Sequence, residues 1–287
     1  MIEKSICIAG DGWGAIAAYT SLMKLFRTIE IVSDDRELLN MARPEDVTRH
    51  YLKEVTSQRI ICAGYKKIIG LEFLNQKEVI NIHYSLLPKY RGFHSTVWAL
   101  LNGEKKLGLT IHRMNQYIDD GPIIFQYETE NDGISTATCY MEHFNNWIAN
   151  NLHIILQKYI DGFILPQPQN KELATWVGKR SLEDCKIDFS QNHEFLQRFF
   201  RALTPPYPRP FIRLKNHDEI LFVKKVSFLS RDIKTHTGRI LNIDKEGIYV
   251  SAADGYVIIH QMLDSKGGGY DFKKLKIGMF LDQKFHD

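Results

Sequence analysis

Asn81 and His83 stand two residues apart at the end of the apolar run Val79-Ile80. In an extended strand, alternate side chains share one face. A carboxamide and an imidazole placed side by side can donate to a developing oxyanion and shuttle a proton. The next stretch, Tyr84-Ser85-Leu86-Leu87-Pro88-Lys89-Tyr90-Arg91-Gly92, is broken by Pro88 and Gly92 into a loop able to wall such a site. Alone, the pair fits ordinary structural polar residues equally well.

A second candidate lies at the start of the chain. Ser5 to Ala9 reads as a buried strand, followed by Gly10-Asp11-Gly12-Trp13-Gly14-Ala15 and a helix to about Leu25. This nearly matches the dinucleotide fingerprint, with Ala15 in the third glycine's place. Free amides at a helix N-terminus attract phosphate or another anion. Asp34 and Asp35 fall where a ribose-binding acid belongs, yet nothing further along resembles a hydride-transfer site. A tight turn without a ligand is the alternative.

The elements that position these residues alternate. Strands are expected at Ile29 to Ser33, Arg59 to Ala63, Val79 to His83, Gly108 to Met114 and Ile123 to Glu128, with a helix from His94 to Leu101. Such alternation indicates a mostly parallel α/β sheet, in which ligands gather at the strands' carboxyl ends. Cys139, Phe144, Trp147, Ile148, Leu152, Ile155 and Tyr159 recur at helical spacing over Ser135 to Tyr159, a core stripe. Pro166 to Asn170 reads as a linker, and Asn192 to Ala202 as a helix stopping before a proline-rich turn. From Phe211 the pattern changes to short strands separated by turn residues, a small β-barrel or open β-module.

Composition narrows the function classes. The chain has 287 residues, 44% hydrophobic and 25% charged, with a formal net charge of +3. This is an ordinary globular composition, mildly basic, which suits a small anionic substrate and gives no argument for nucleic acid. Cys7, Cys62, Cys139 and Cys185 are widely spaced without a CxxC pair, as in a reduced cytoplasmic protein with no metal knuckle. Met1 is followed by charged residues, and no run approaches the ~18 apolar residues of a membrane span. Neither secretion nor a membrane anchor is expected.

Taken in order, Asn81-x-His83, the SLLPKYRG run, LNGE at Leu101 to Glu104, LTIH at Leu109 to His112 and IDDGPI at Ile118 to Ile123 resemble the 10-formyltetrahydrofolate-dependent formyltransferases. That family includes glycinamide ribonucleotide, methionyl-tRNA and sugar-nucleotide enzymes. The resemblance is strong over about residues 58 to 130 and extends through the remainder by general layout. It implies a Rossmann-like formyltransferase domain over residues 1–170, a helical and proline-turn connector over 171–210, and a C-terminal β-rich, OB-like module over 211–287. It assigns Asn81, His83 and Asp119 to the family's catalytic trio, with no metal. Asp120 stands where relatives often have Thr or Gly and reads as a solvated turn carboxylate. Tyr84 replaces the usual proline, and the remaining histidines, His112 among them, read as structural or surface residues.

The same resemblance implies that 10-formyltetrahydrofolate lies against Ala63 to Ile69 and the loop Asn115 to Asp119, with Tyr65, Lys67, Ile69 and Gln116 as contacts. The acceptor side is expected to use Gly10, Gly12, Trp13, Tyr90, Arg91, Arg201 and Tyr207. Tyr207 would stack on a base and Arg201 would meet a pyrophosphate. The segment from Ser33 to Val79 lacks the basic cluster that phosphate neutralisation needs, and the length exceeds a single-domain enzyme. A nucleotide-linked amino-dideoxysugar, with dTDP-4-amino-4,6-dideoxyglucose for a bacterial surface polysaccharide as the specific expectation, is therefore the expected acceptor. Methionyl-tRNA is the alternative, and a homodimer is expected by resemblance.

Overall fold

The structure is a computed structural model that describes residues 5–214 and 219–281. Residues 1–4, with the charged start that argued against a leader, and residues 215–218 and 282–287 of the C-terminal module lie outside the described residues.

Strands β1 (Ser5–Ala9), β2 (Thr28–Val32), β3 (Val47–Arg49), β4 (Arg59–Cys62), β5 (Glu78–His83), β7 (Lys106–Arg113) and β8 (Ile123–Glu130) form one sheet in the order β3-β2-β1-β4-β5-β7-β8. A short pair, β6 (Arg91–Gly92) and β9 (Trp176–Val177), lies apart from it. The first five strands pair in parallel, while β5 with β7 and β7 with β8 are antiparallel. The fold is the expected Rossmann-like α/β architecture.

Parallel strands covered on both faces read as continuous apolar runs, and Ile6, Ile8, Ile29, Ile31, Ile60, Ile61 and Ile80 are all fully buried. Each such side chain contributes about 1.5–3 kcal/mol relative to exposure. Strand β3 is missed by sequence because three residues carry too little period-two signal.

The helices are α1 (Gly12–Leu22), α2 (Arg36–Asn40), α3 (Leu71–Gln76), α4 (Ser95–Leu101), α5 (Ala137–Ile160) and α6 (His193–Ala202). None of the described helices is long and apolar enough to cross a membrane. In α5 the buried stripe is Tyr140, Phe144, Ile148, Leu152, Ile155 and Leu156. Cys139 is exposed, one residue off that stripe, and none of the four cysteines is in a disulfide.

The chain divides into two compact units. One comprises 1–99, 104–132 and 139–179, and the other comprises 100–103, 133–138 and 180–287. The Pro166–Asn170 stretch is not a free linker. Gln167 exchanges backbone hydrogen bonds with Ile123 at the start of β8, and Gln169 bonds the Asp119 and Gly121 carbonyls.

In the second unit, β10 (Phe211–Arg213), β11 (Ile220–Ser230), β12 (Ile240–Ile243), β13 (Ile248–Ala252) and β14 (Gly255–Leu263) form an antiparallel sheet ordered β10-β11-β14-β13-β12. Its two outer strands are joined through one dipeptide. Phe280 bridges to Arg239 before β12, and Leu281 bridges to Leu214 after β10. This closure is what gives the module its barrel character.

Candidate active site

Period-two geometry turns Asn81 and His83 to the same face of β5, and the antiparallel register sets His112 of β7 directly opposite Asn81. Asp119 reaches this face from the turn between β7 and β8. Asn81 Nδ2 donates to Asp119 Oδ1 at 3.3 Å and lies 3.3 Å from His112 Nε2. His83 Nδ1 is 3.5 Å from Asp119 Oδ2, and His112 Nε2 is 3.5 Å from Asp119 Oδ1. Gly92 N–H donates to Asp119 Oδ2 at 2.9 Å.

The hydrogen bonds fix the tautomers. His83 Nε2 faces the Tyr90 carbonyl at 2.8 Å, so that nitrogen carries hydrogen and Nδ1, beside Asp119, is the basic atom. By the same logic His112 Nδ1 donates to the Arg113 carbonyl at 3.0 Å, leaving Nε2 to face Asn81 and Asp119. Burial pushes the His83 imidazole below its ordinary pKa, against the opposing effects of Asp119 and the Tyr90 carbonyl. Burial also raises the Asp119 carboxyl. Its contact with His112 Nε2, the positive charge that either imidazole brings when protonated, and the Gly92 amide more than offset this, and hold it at about 2. The result is a fixed carboxylate between two imidazoles, with a base nitrogen pointing at it.

His112 is the residue sequence reading misses. Its signal lies across strands, in the pairing of β5 with β7, which no spacing along the chain reveals. Asp120 is likewise no solvated turn carboxylate: its side chain is 10% exposed and pairs with Arg91 Nη1 at 2.7 Å.

The expected acceptor residues fare unevenly. The Gly12 amide at the start of α1 is taken by Asp35 Oδ2 at 2.8 Å, and Asp11 Oδ1 accepts from Ser33 Oγ and the Asp34 amide. The helix N-terminus thus carries an anion of its own, and Asp35 is engaged where a ribose-binding acid would be free. Gly10 is required by close backbone approach, since a Cβ there would lie 1.9 Å from the Ala63 carbonyl oxygen. A Cβ on Gly14 would lie 2.5 Å from the Tyr84 hydroxyl. These contacts account for both glycines without a dinucleotide, and for the chain's tolerance of Tyr84, whose hydroxyl donates to Asn145 Oδ1 at 2.6 Å.

Trp13 is exposed beside that turn. Tyr90 is buried with its hydroxyl on Glu104, and its carbonyl serves His83. Arg91 is buried between Asp120 and Gln169 instead of presenting its guanidinium to solvent. Arg201 and Tyr207 belong to the second unit, where Arg201 closes α6 and the Tyr207 amide donates to the Thr204 carbonyl at 3.0 Å.

On the expected folate side, Tyr65 and Ile69 pack partly buried against the cluster of Cys7, Ala9, Val32, Ile60 and Cys62, while Lys67 and Gln116 are exposed. The open apolar surface on these two segments is instead Ile68, Tyr117 and Ile118, which are 98%, 61% and 66% exposed. Among the described residues, no group of three or more His, Cys, Asp and Glu side chains is placed to hold a metal ion.

The formyl transferase family matches residues 29–150, and the formyl transferase C-terminal domain matches residues 179–273. A methionyl-tRNA formyltransferase from Thermotoga neapolitana is 30% identical over 263 residues, covering 89% of this chain and 82% of that protein. The chain belongs to the formyl transferase family. It is an N-formyltransferase, from a family that uses a folate-derived formyl donor.

Two solved structures share the fold of this formyltransferase. HypX from Aquifex aeolicus, in complex with tetrahydrofolic acid, is 17% identical with a TM-score of 0.67 and covers 94% of this chain. This chain spans only 45% of that one. The N-formyltransferase from Helicobacter canadensis, in complex with folinic acid and dTDP-3-aminofucose, is 20% identical with a TM-score of 0.65. It covers 91% of this chain and is itself covered completely.

Proposed function

We propose that this enzyme transfers the formyl group of 10-formyltetrahydrofolate to the amine of a nucleotide-linked amino-dideoxysugar, with Asn81, His83 and Asp119 as the catalytic residues. The observation that carries the formyl-transfer reading is the convergence of these three side chains, within 3.5 Å of one another through Asp119, on one face of β5. The amine attacks the formyl carbon, a C–N bond forms, and negative charge collects on the formyl oxygen. His83 Nδ1 takes the amine's proton, with Asp119 stabilising the imidazolium beside it. Collapse of the intermediate breaks the bond to the folate nitrogen, which receives a proton and leaves as tetrahydrofolate.

Asn81 is the oxyanion donor in this scheme. Both of its amide hydrogens face internal partners at 3.3 Å, contacts long enough to be exchanged for a substrate oxygen. Ile68, Tyr117 and Ile118 offer the exposed apolar faces that a pterin ring would cover.

The sugar-nucleotide acceptor is favoured over tRNA by the state of three of the four arginines between β2 and β5. Arg43 pairs with Asp46 at 2.9 Å, Arg49 with Glu30 at 2.9 Å and Arg59 with Glu78 at 2.7 Å. These guanidinium groups are already neutralised within the fold and are poorly placed to grip a polyanionic backbone. The fold similarity to the Helicobacter canadensis enzyme points the same way. Methionyl-tRNA is the second reading, favoured by the Thermotoga neapolitana relative. The proposal includes a cytoplasmic homodimer and dTDP-4-amino-4,6-dideoxyglucose as the specific acceptor.

The test is tetrahydrofolate release from 10-formyltetrahydrofolate across a panel of dTDP- and UDP-linked amino sugars, with initiator methionyl-tRNA included. Turnover with an amino-sugar nucleotide supports the assignment. Turnover with the tRNA alone replaces the acceptor.

A further inference from the structure

The turn that bears Asp119 is gripped from two sides by a single strand. Gly92 N–H donates to Asp119 Oδ2, and the preceding residue, Arg91, binds Asp120 Oδ1 through Nη1 at 2.7 Å. Arg91 Nη2 donates to Gln169 Oε1 at 2.7 Å. The Gln169 amide returns to the turn, donating to the Asp119 carbonyl at 2.7 Å and the Gly121 carbonyl at 2.8 Å. Asn115 Nδ2 holds the other oxygen of Asp120 at 3.3 Å. The ring of contacts therefore runs from Arg91 through Asp120, Asp119 and Gln169 back to Arg91.

Its place in the fold argues for a role in geometry. Asp119 sits at φ +50, a left-handed conformation that an aspartate keeps only where the surroundings hold it. Arg91 and Asp120 are 4% and 10% exposed. A buried ion pair contributes little to net stability, because desolvation cancels much of its attraction, but it fixes one arrangement against others. The guanidinium is held further by the Trp176 ring at 5.5 Å, on the strand paired with β6.

We propose that Asp120 and Gln169, acting through Arg91, are positioning residues that fix the Asp119 carboxylate against His83. This rests on the catalytic roles proposed above for His83 and Asp119.

The test uses two variants of the full chain. Asp120→Ala removes the carboxylate. The double variant Arg91→Met/Asp120→Leu removes both buried charges while keeping apolar volume, so that folding survives if the single variant does not fold. Thermal melts establish which variants are folded.

Two readouts follow. One is kcat and KM for 10-formyltetrahydrofolate with an acceptor turned over by the wild type. The other is the NMR titration of the His83 imidazole, which faces Asp119, His112 and the Tyr90 carbonyl. A misplaced Asp119 lowers kcat about tenfold or more with KM nearly unchanged, and moves the His83 midpoint to lower pH. A folded variant with wild-type kcat and an unmoved His83 midpoint overturns the proposal. If the wild type turns over none of the acceptors, the functional reading fails. The imidazole titration then still decides whether Asp120 positions Asp119.

Discussion

Asn81 and His112 stand opposite one another on antiparallel strands, with the Asn81 amide 3.3 Å from His112 Nε2. The pairing joins two residues that lie far apart in the chain and makes the second imidazole part of the Asp119 environment.

Removing either residue of the β5 pair should stop the reaction while leaving the sheet intact. Asn81→Ala is expected to lower kcat by about 10²–10³, and His83→Ala at least as much. Tetrahydrofolate release, with circular dichroism as the fold control, measures both. Near-normal turnover by either variant would sink the mechanism.

In the proposed mechanism His83 must be neutral to accept the amine's proton. Burial depresses its pKa below the ordinary 6.5, so the acidic limb of the kcat profile should fall below pH 6.5. Activity should persist through that value and decline as pH falls through the lowered pKa. A limb above 6.5 in a pH–rate profile would show that a different group is titrating.

Glu30 offers a separate test of stability. Burial raises its carboxyl, but the Ser57 hydroxyl, the Thr56 amide, Arg49 and the Ser57 amide overcome this and bring it from 4.5 to about 2. A depressed carboxyl contributes stability above its unfolded pKa and loses it as pH falls from about 4.5 toward 2. The shift corresponds to about 3 kcal/mol at neutral pH. Glu30→Gln should therefore be clearly less stable than wild type in urea at pH 7, with the gap narrowing as pH falls from about 4.5 toward 2. A pH-independent difference would contradict the linkage.

Gly14 and Tyr84 should couple. Gly14→Ala gains about 1 kcal/mol of helix propensity, but places a methyl against the Tyr84 hydroxyl and should be net destabilising. In a Tyr84→Phe background the same change should cost less or become stabilising, although Tyr84→Phe alone loses the bond to Asn145. Denaturant unfolding of the four-member cycle measures the coupling, and strict additivity would refute the clash.

Much of this was legible in the chain. Apolar runs and glycine turns define the parallel strands, and period-two spacing places Asn81 with His83 on one face. Asp119 is identifiable only through the family's motif order, since nothing local distinguishes it from Asp120. His112, Asp120 and Arg91 are misjudged because their environment comes from strand register and from β9, both distant in sequence. The Gly10–Gly12 turn is misjudged for a related reason. Its amide is filled by Asp35, a residue that sequence pattern assigns to a ligand.

The Phe280–Leu281 dipeptide has a consequence for solubility. Open sheet edges present unpaired amides and carbonyls on which other chains can polymerise. Here residues 278–281 pair along the β12 margin and Leu281 bridges to Leu214 after β10, while the Ile187 amide donates to the Phe211 carbonyl at 2.9 Å. A substitution that dislodges Leu281 would loosen one end of each margin together, so its first symptom should be self-association of the enzyme and not a loss of formyl transfer.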